Sequence, residues 1–109
     1  TAEGLAMGLK AGLDLAVMTE VLGHTPAGRG HLTTAWPEKA LKDDPSPAFM
    51  LDLATKDLGL AVELAADLKV PLAAAAVSRQ LYQVAQAQGH GREDWTTGLF
   101  RTLKDLGQT

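Results

Sequence analysis

The chain has 109 residues, room for one ordinary domain and too few for two. It has no cysteine, which removes a disulfide framework, a thiolate nucleophile and every cysteine-based metal site, and favours a reducing, cytoplasmic setting. The net charge is −3 with ten Lys and Arg scattered singly, and no apolar run approaches the roughly 20 residues a bilayer requires, so neither a nucleic acid nor a membrane is expected as a partner.

Eighteen Ala and eighteen Leu, against no Ile, six Val and five aromatics, form a palette suited to helices and poor for strands, and an all-α, compact multi-helix domain is expected. From Ala2 the positions Ala2, Leu5, Ala6 and Leu9 recur at helical spacing, and Gly12 stands where a left-handed cap would end the run. Nothing better than Thr1 offers to cap this helix, so the pattern reads as a cut through a longer one. Asp14 is the expected N-cap of a second helix carrying Leu15, Met18, Val21 and Leu22, with Gly23 as its C-terminal stop. His24 to Pro47 holds four of the five prolines and reads as loop with one or two helical turns, the best over Pro37–Leu41. Phe49, Leu51 and Leu53 alternate with Met50, Asp52 and Ala54, a period of two that predicts an extended segment feeding the next helix, with a helical reading left open as the alternative. From Asp57 the stripe Leu58, Ala61, Leu64, Ala65 and Leu68 predicts the most regular helix. Lys69-Val70-Pro71 breaks the chain, and another helix is predicted over 72–88. Gly89-His90-Gly91 ends that helix, and Trp95, Leu99, Leu103 and Leu106 make a last helical stripe.

On these boundaries Lys56 falls at the start of a helix, where the macrodipole disfavours a cation and where a phosphate or carboxylate is readily held. An exposed lysine covering apolar surface with its stem is the plainer alternative. Gly28-Arg29-Gly30 is the one glycine-rich candidate for a phosphate turn, but no strand pattern precedes it, so it reads as an ordinary turn. His24, His31 and His90 lack the spacing of a helical metal pair, and no metal site is predicted. Asp43 and Asp44 read as a solvated turn, Ser46 and Ser78 lack nucleophile-elbow glycines, and Trp36 and Trp95 read as core or interface.

The stretch Lys39-Ala40-Leu41-x-x-Asp44-x-x-Pro47-x-Phe49-x-Leu51-Asp52-Leu53-x-x-Lys56-Asp57-Leu58-x-Leu60-Ala61 resembles the C-terminal domain of the β-hydroxyacid dehydrogenases, the family of 3-hydroxyisobutyrate dehydrogenase and tartronate semialdehyde reductase. Ala2-Glu3-Gly4-Leu5-Ala6 through Lys10-Ala11-Gly12-Leu13-Asp14 resembles the helix and turn before it. Val70-Pro71-Leu72, Tyr82 and Gly89-His90-Gly91-Arg92-Glu93-Asp94 resemble the family's segments beyond it, so the likeness covers nearly the whole chain in order.

The resemblance implies a two-domain oxidoreductase that passes a hydride between NAD or NADP and a small 3-hydroxy acid or its semialdehyde. In it residues 1–109 form the helical C-terminal domain, like that of 6-phosphogluconate dehydrogenase-like proteins, which completes the site and joins subunits of a homo-oligomer. The partner within the protein is an N-terminal Rossmann domain, absent from this chain, that holds most of the cofactor. The family's catalytic lysine is expected upstream of Thr1, and no catalytic residue is assigned here. Lys56 and Phe49 correspond to a lysine and an aromatic that approach the cofactor. Without that partner the isolated chain is expected to be inactive. A helical binding or oligomerisation module without chemistry is the alternative, drawing on the Ala/Leu stripes.

Overall fold

Alanine and leucine make helix a low-energy backbone state, and the computed structural model, which describes residues 1–108, is helical with no strand among them. The order is α1 (Ala2–Lys10), α2 (Leu15–Gly23), the single-turn helices α3 (Pro26–Arg29) and α4 (His31–Thr34), and two 3₁₀ turns, Trp36–Glu38 and Ala40–Lys42. Three long helices complete it, α5 (Leu51–Asp67), α6 (Ala73–Ala87) and α7 (Trp95–Gly107). The all-α expectation holds.

The α1–α2 hairpin forms as its local signals predict. Gly12 takes φ +92° between the helices, and the Asp14 carboxylate accepts from the Val17 amide at 2.9 Å, filling one of the orphan donors of α2. Gly23 does not act as a stop: it is the last residue of α2, and the cap is His24 with φ −91°. The expected loop from His24 onward is instead a series of short turns, with Gly30 at φ +88° redirecting the chain between α3 and α4. Pro37 sits in the first 3₁₀ turn, so the helical turn expected over Pro37–Leu41 is split between two.

The largest departure from expectation is the start of α5. The period of two over Phe49–Leu53 predicts an extended segment, yet Met50 is the extended N-cap and the helix begins at Leu51, so the helical alternative holds from there on. The reason is non-local: the Leu51 and Asp52 amides donate to the Glu93 and Gly91 carbonyls, each at 2.9 Å, so the segment before α7 satisfies donors that no local side chain caps. Lys56 therefore lies at the sixth position of α5, beyond the first turn where a macrodipole acts, and the unfavourable placement inferred from the sequence disappears.

Helices α5, α6 and α7 pack on one another through small and hydroxyl side chains. The buried positions are Leu51, Ala54, Thr55, Gly59 and Ala65 of α5, Ala85 of α6, and Thr96, Thr97, Gly98 and Thr102 of α7. Burial of a hydroxyl is tolerated when it is hydrogen-bonded: Thr55 donates to the Leu51 carbonyl at 2.8 Å, Thr102 to Gly98 at 2.9 Å, and Thr97 to Asp44 at 2.7 Å. Of the predicted α5 stripe Ala65 is buried and Leu64 is exposed, while on α7 Leu103 and Leu106 are exposed. Helix α1 is fastened to α6 by Glu3, whose two carboxylate oxygens accept from the Ala74 and Ala75 amides at 2.7 and 3.2 Å. Leu9, Leu13, Val17, Val21 and Leu22 leave the α1–α2 hairpin with an exposed apolar face, and the molecule is elongated, 43 × 27 × 21 Å.

Candidate functional site

The short helices and the three long ones enclose a cleft of about 710 Å³. Its floor is α5, where Ala54, Asp57 and Leu58 share a face at i, i+3 and i+4. Tyr82 of α6, Trp95 at the head of α7, and Pro26, His31, Thr34 and Ala35 of the short-helix segment complete the lining. Phe49 enters from the segment before α5. The aromatic wall is organised by edge contacts: His31 meets Trp95 at 4.8 Å between ring centroids and Tyr82 meets it at 6.3 Å. Such geometry places positive ring edges on negative faces and fixes the rings without a polar tether. Burial pushes the Tyr82 hydroxyl above its ordinary value of 10.0, so it stays neutral and able to donate at any working pH near neutrality.

The two residues singled out from the sequence occupy different places. Phe49 lines the cleft. Lys56 does not: its side chain is 61% exposed, and its ammonium reaches the site through Asp57, whose carboxylate lies 3.5 Å away. Asp57, which the sequence marks only as the beginning of the regular helical stripe, is the acidic group of the cleft floor, seven residues into α5. Trp95 is a site wall as well as a packing residue, and His31 is its neighbour. Trp36 instead packs on Phe100, 5.3 Å between ring centroids.

Phe49 is held by the chain before α7. Its carbonyl accepts from the Trp95 amide at 2.8 Å, and its amide and that of Ala48 donate to one oxygen of Asp94 at 3.3 and 3.1 Å. Asp94 is 1% exposed, and its other oxygen accepts from the Thr96 amide and hydroxyl at 3.0 and 2.6 Å. Sequence reasoning missed this residue, although a carboxylate one position before a helical stripe is an N-cap signal.

Asp43 and Asp44 form a structured corner where a solvated turn is expected. Asp44 accepts from the Lys39 ammonium at 2.9 Å and from the Ser46 amide and hydroxyl at 2.9 and 2.7 Å, and these bonds, those of Ser46 foremost, hold its carboxyl far below the usual carboxylate range. Asp43 adopts φ 53° and accepts from Arg101 at 2.8 Å, and that bond lowers its carboxyl too. Gly28-Arg29-Gly30 makes no phosphate turn: Gly28 packs so closely on the end of α2 that a Cβ would overlap the Leu22 carbonyl oxygen. Among the described residues no three of His, Asp and Glu converge as a metal set, and no helix is long and apolar enough to cross a membrane.

A family model, the NAD-binding region of NADP-dependent 3-hydroxyisobutyrate dehydrogenase, matches residues 1–101. The chain is 47% identical over 97 residues to 3-sulfolactaldehyde reductase of Escherichia coli, covering 89% of this chain and 33% of that protein. It is 39% identical over 94 residues to 2-(hydroxymethyl)glutarate dehydrogenase of Eubacterium barkeri, covering 85% and 31%. It is 28% identical over 111 residues to mitochondrial 3-hydroxyisobutyrate dehydrogenase of Rattus norvegicus, covering 96% and 33%. The chain thus spans about a third of the length of the curated relatives it matches.

Proposed function

Since this chain belongs to the 3-hydroxyisobutyrate dehydrogenase family, we propose that it is the helical C-terminal domain of an oxidoreductase acting between NAD or NADP and a small 3-hydroxy acid or its semialdehyde. The observation that carries this reading is the family match over residues 1–101. The relatives' names, a sulfolactaldehyde reductase and two hydroxy-acid dehydrogenases, support an acid bearing a nearby hydroxyl or aldehyde as the substrate class.

The cleft fits one end of such a cofactor and not the other. The aromatic side chains of Phe49, Tyr82 and Trp95 in the lining suit a planar ring. No strand among the described residues leads into a glycine-rich helix start, so the pyrophosphate requires the Rossmann domain that the family resemblance implies. When bound, the nicotinamide gives or takes the hydride.

The chain's own residues supply the surroundings. Phe49 and Trp95 exclude water from the reacting face. Lys56, beside Asp57, adds a cation at the cleft edge to attract and orient the anionic cofactor, and the neutral Tyr82 hydroxyl is a donor in the wall. The proton of the substrate hydroxyl falls to the lysine expected upstream of Thr1. The exposed apolar face of α1 and α2 supports a homo-oligomer.

The test uses the protein as its gene encodes it, upstream region included. Lys56→Ala is expected to weaken NADH or NADPH binding about tenfold, equivalent to about 1.4 kcal/mol, with melting temperature unchanged because the side chain is solvent-facing. Unchanged cofactor affinity and turnover would remove Lys56 from the site.

A further inference from the structure

We propose that Asp94 is a positioning residue of the cleft, holding Phe49 in place through one carboxylate oxygen while the other starts α7. The inference rests on the reading that Phe49 faces the cofactor. An N-cap needs one acceptor, which a serine supplies, and Asp94 meets that need with the oxygen bonded to the Thr96 amide and hydroxyl. Its second oxygen is directed 45 and 46 residues back along the chain, to the amides of Phe49 and Ala48. These are the first two donors after Pro47, which has none of its own.

Neighbouring backbone bonds make the attachment two-sided. The Asp94 amide donates to the Pro45 carbonyl at 2.9 Å and the Trp95 amide to the Phe49 carbonyl at 2.8 Å. Phe49 is thus fixed at its amide by Asp94 and at its carbonyl by Trp95, which shares the cleft lining with it. A carboxylate that is 1% exposed is costly unless its charge is met, and here four donors and the amino end of α7 meet it. Such a buried charge is more than a helix start requires. Its second oxygen ties Phe49 to the residue before Trp95, so that two aromatic residues of the lining are held as one unit.

The experiment compares Phe49→Ala, Asp94→Ser, Thr96→Val and the Phe49→Ala/Asp94→Ser double variant in the protein with its upstream region, reading NADH and NADPH dissociation constants and melting temperature. Asp94→Ser keeps the cap and loses the attachment, and is expected to weaken cofactor binding three- to tenfold. Thr96→Val removes one bond on the capping oxygen alone and should lower the melting temperature while leaving affinity within twofold. The double variant should bind no more weakly than Phe49→Ala, because Asp94 acts through Phe49. If Phe49→Ala weakens binding and Asp94→Ser does not, or if their effects add, Asp94 is an ordinary cap and the proposal fails. If Phe49→Ala itself leaves affinity unchanged, the reading of the cleft fails first and the role of Asp94 falls with it. Should Asp94→Ser not fold, Asp94→Asn, with a single acceptor for both duties, enters the same comparison.

Discussion

Several side chains in this molecule act on partners far away in sequence. Arg101 of α7 reaches Asp43, 58 residues earlier, and also approaches Glu93 at 3.3 Å. Together with the Asp44, Lys39 and Ser46 cluster it fixes the corner that leads into the cleft. Because the Asp43 and Asp44 carboxyls sit below their ordinary value of 3.8 in the folded protein, their contribution is present above that value and is lost as pH falls through the lower folded values. Melting temperature should therefore fall as pH drops from about 5 through the region below about 4, and Asp44→Asn should flatten that part of the profile. An identical acid slope in the variant would show that Asp44 carries none of it. None of this could be read from Asp43-Asp44 as an adjacent acidic pair, since the partners that give each its role lie on separate elements.

At the scale of elements, legibility divides according to where the hydrogen bonds go. Helix α2 starts where the sequence predicts because Asp14 caps it three residues away. Gly89, at φ +93°, stops α6 for an equally local reason. Helix α5 is misread because its first amides are satisfied by the 91–93 segment, and everything inferred from its false start, the placement of Lys56 included, moves with it. Family resemblance singles out Phe49 as cofactor-facing, and the structure places it in the lining of the candidate cleft. Asp57, Tyr82 and Trp95 became members of the site only when three helices were assembled around it. The junction of α2 and α3 offers a sharper test: a methyl group at Gly28 would meet main-chain atoms of Leu22 and Gly23 that cannot rotate away. Gly28→Ala is expected to cost about 1–3 kcal/mol in a urea titration, and a neutral result would mean that α3 shifts freely.

For the molecule as a whole, stripe positions and buried positions diverge. Among the described residues eighteen large apolar side chains are exposed, from Leu9 on α1 to Leu106 on α7, while alanine, glycine and threonine occupy the helix contacts. The hydrophobic periodicity predicts helices correctly and identifies their inner faces only in part, because it does not distinguish a face buried within the chain from one that meets another surface. The 109-residue chain alone is expected to self-associate through the α1–α2 face, and Val17→Glu with Val21→Glu should shift it toward monomer in light scattering. A wild-type chain monomeric at high concentration would count against that face as an interface.

The threonines that line α7 carry a thermodynamic consequence. Heat capacity rises on unfolding in proportion to the apolar surface newly wetted, and here much of the leucine and valine surface is wet already. The chain by itself should thus have a shallow stability curve, with little curvature between cold and warm. Any surface that covered these bare helical faces would add to that curvature, so a covered chain should have a more sharply curved profile than the chain alone.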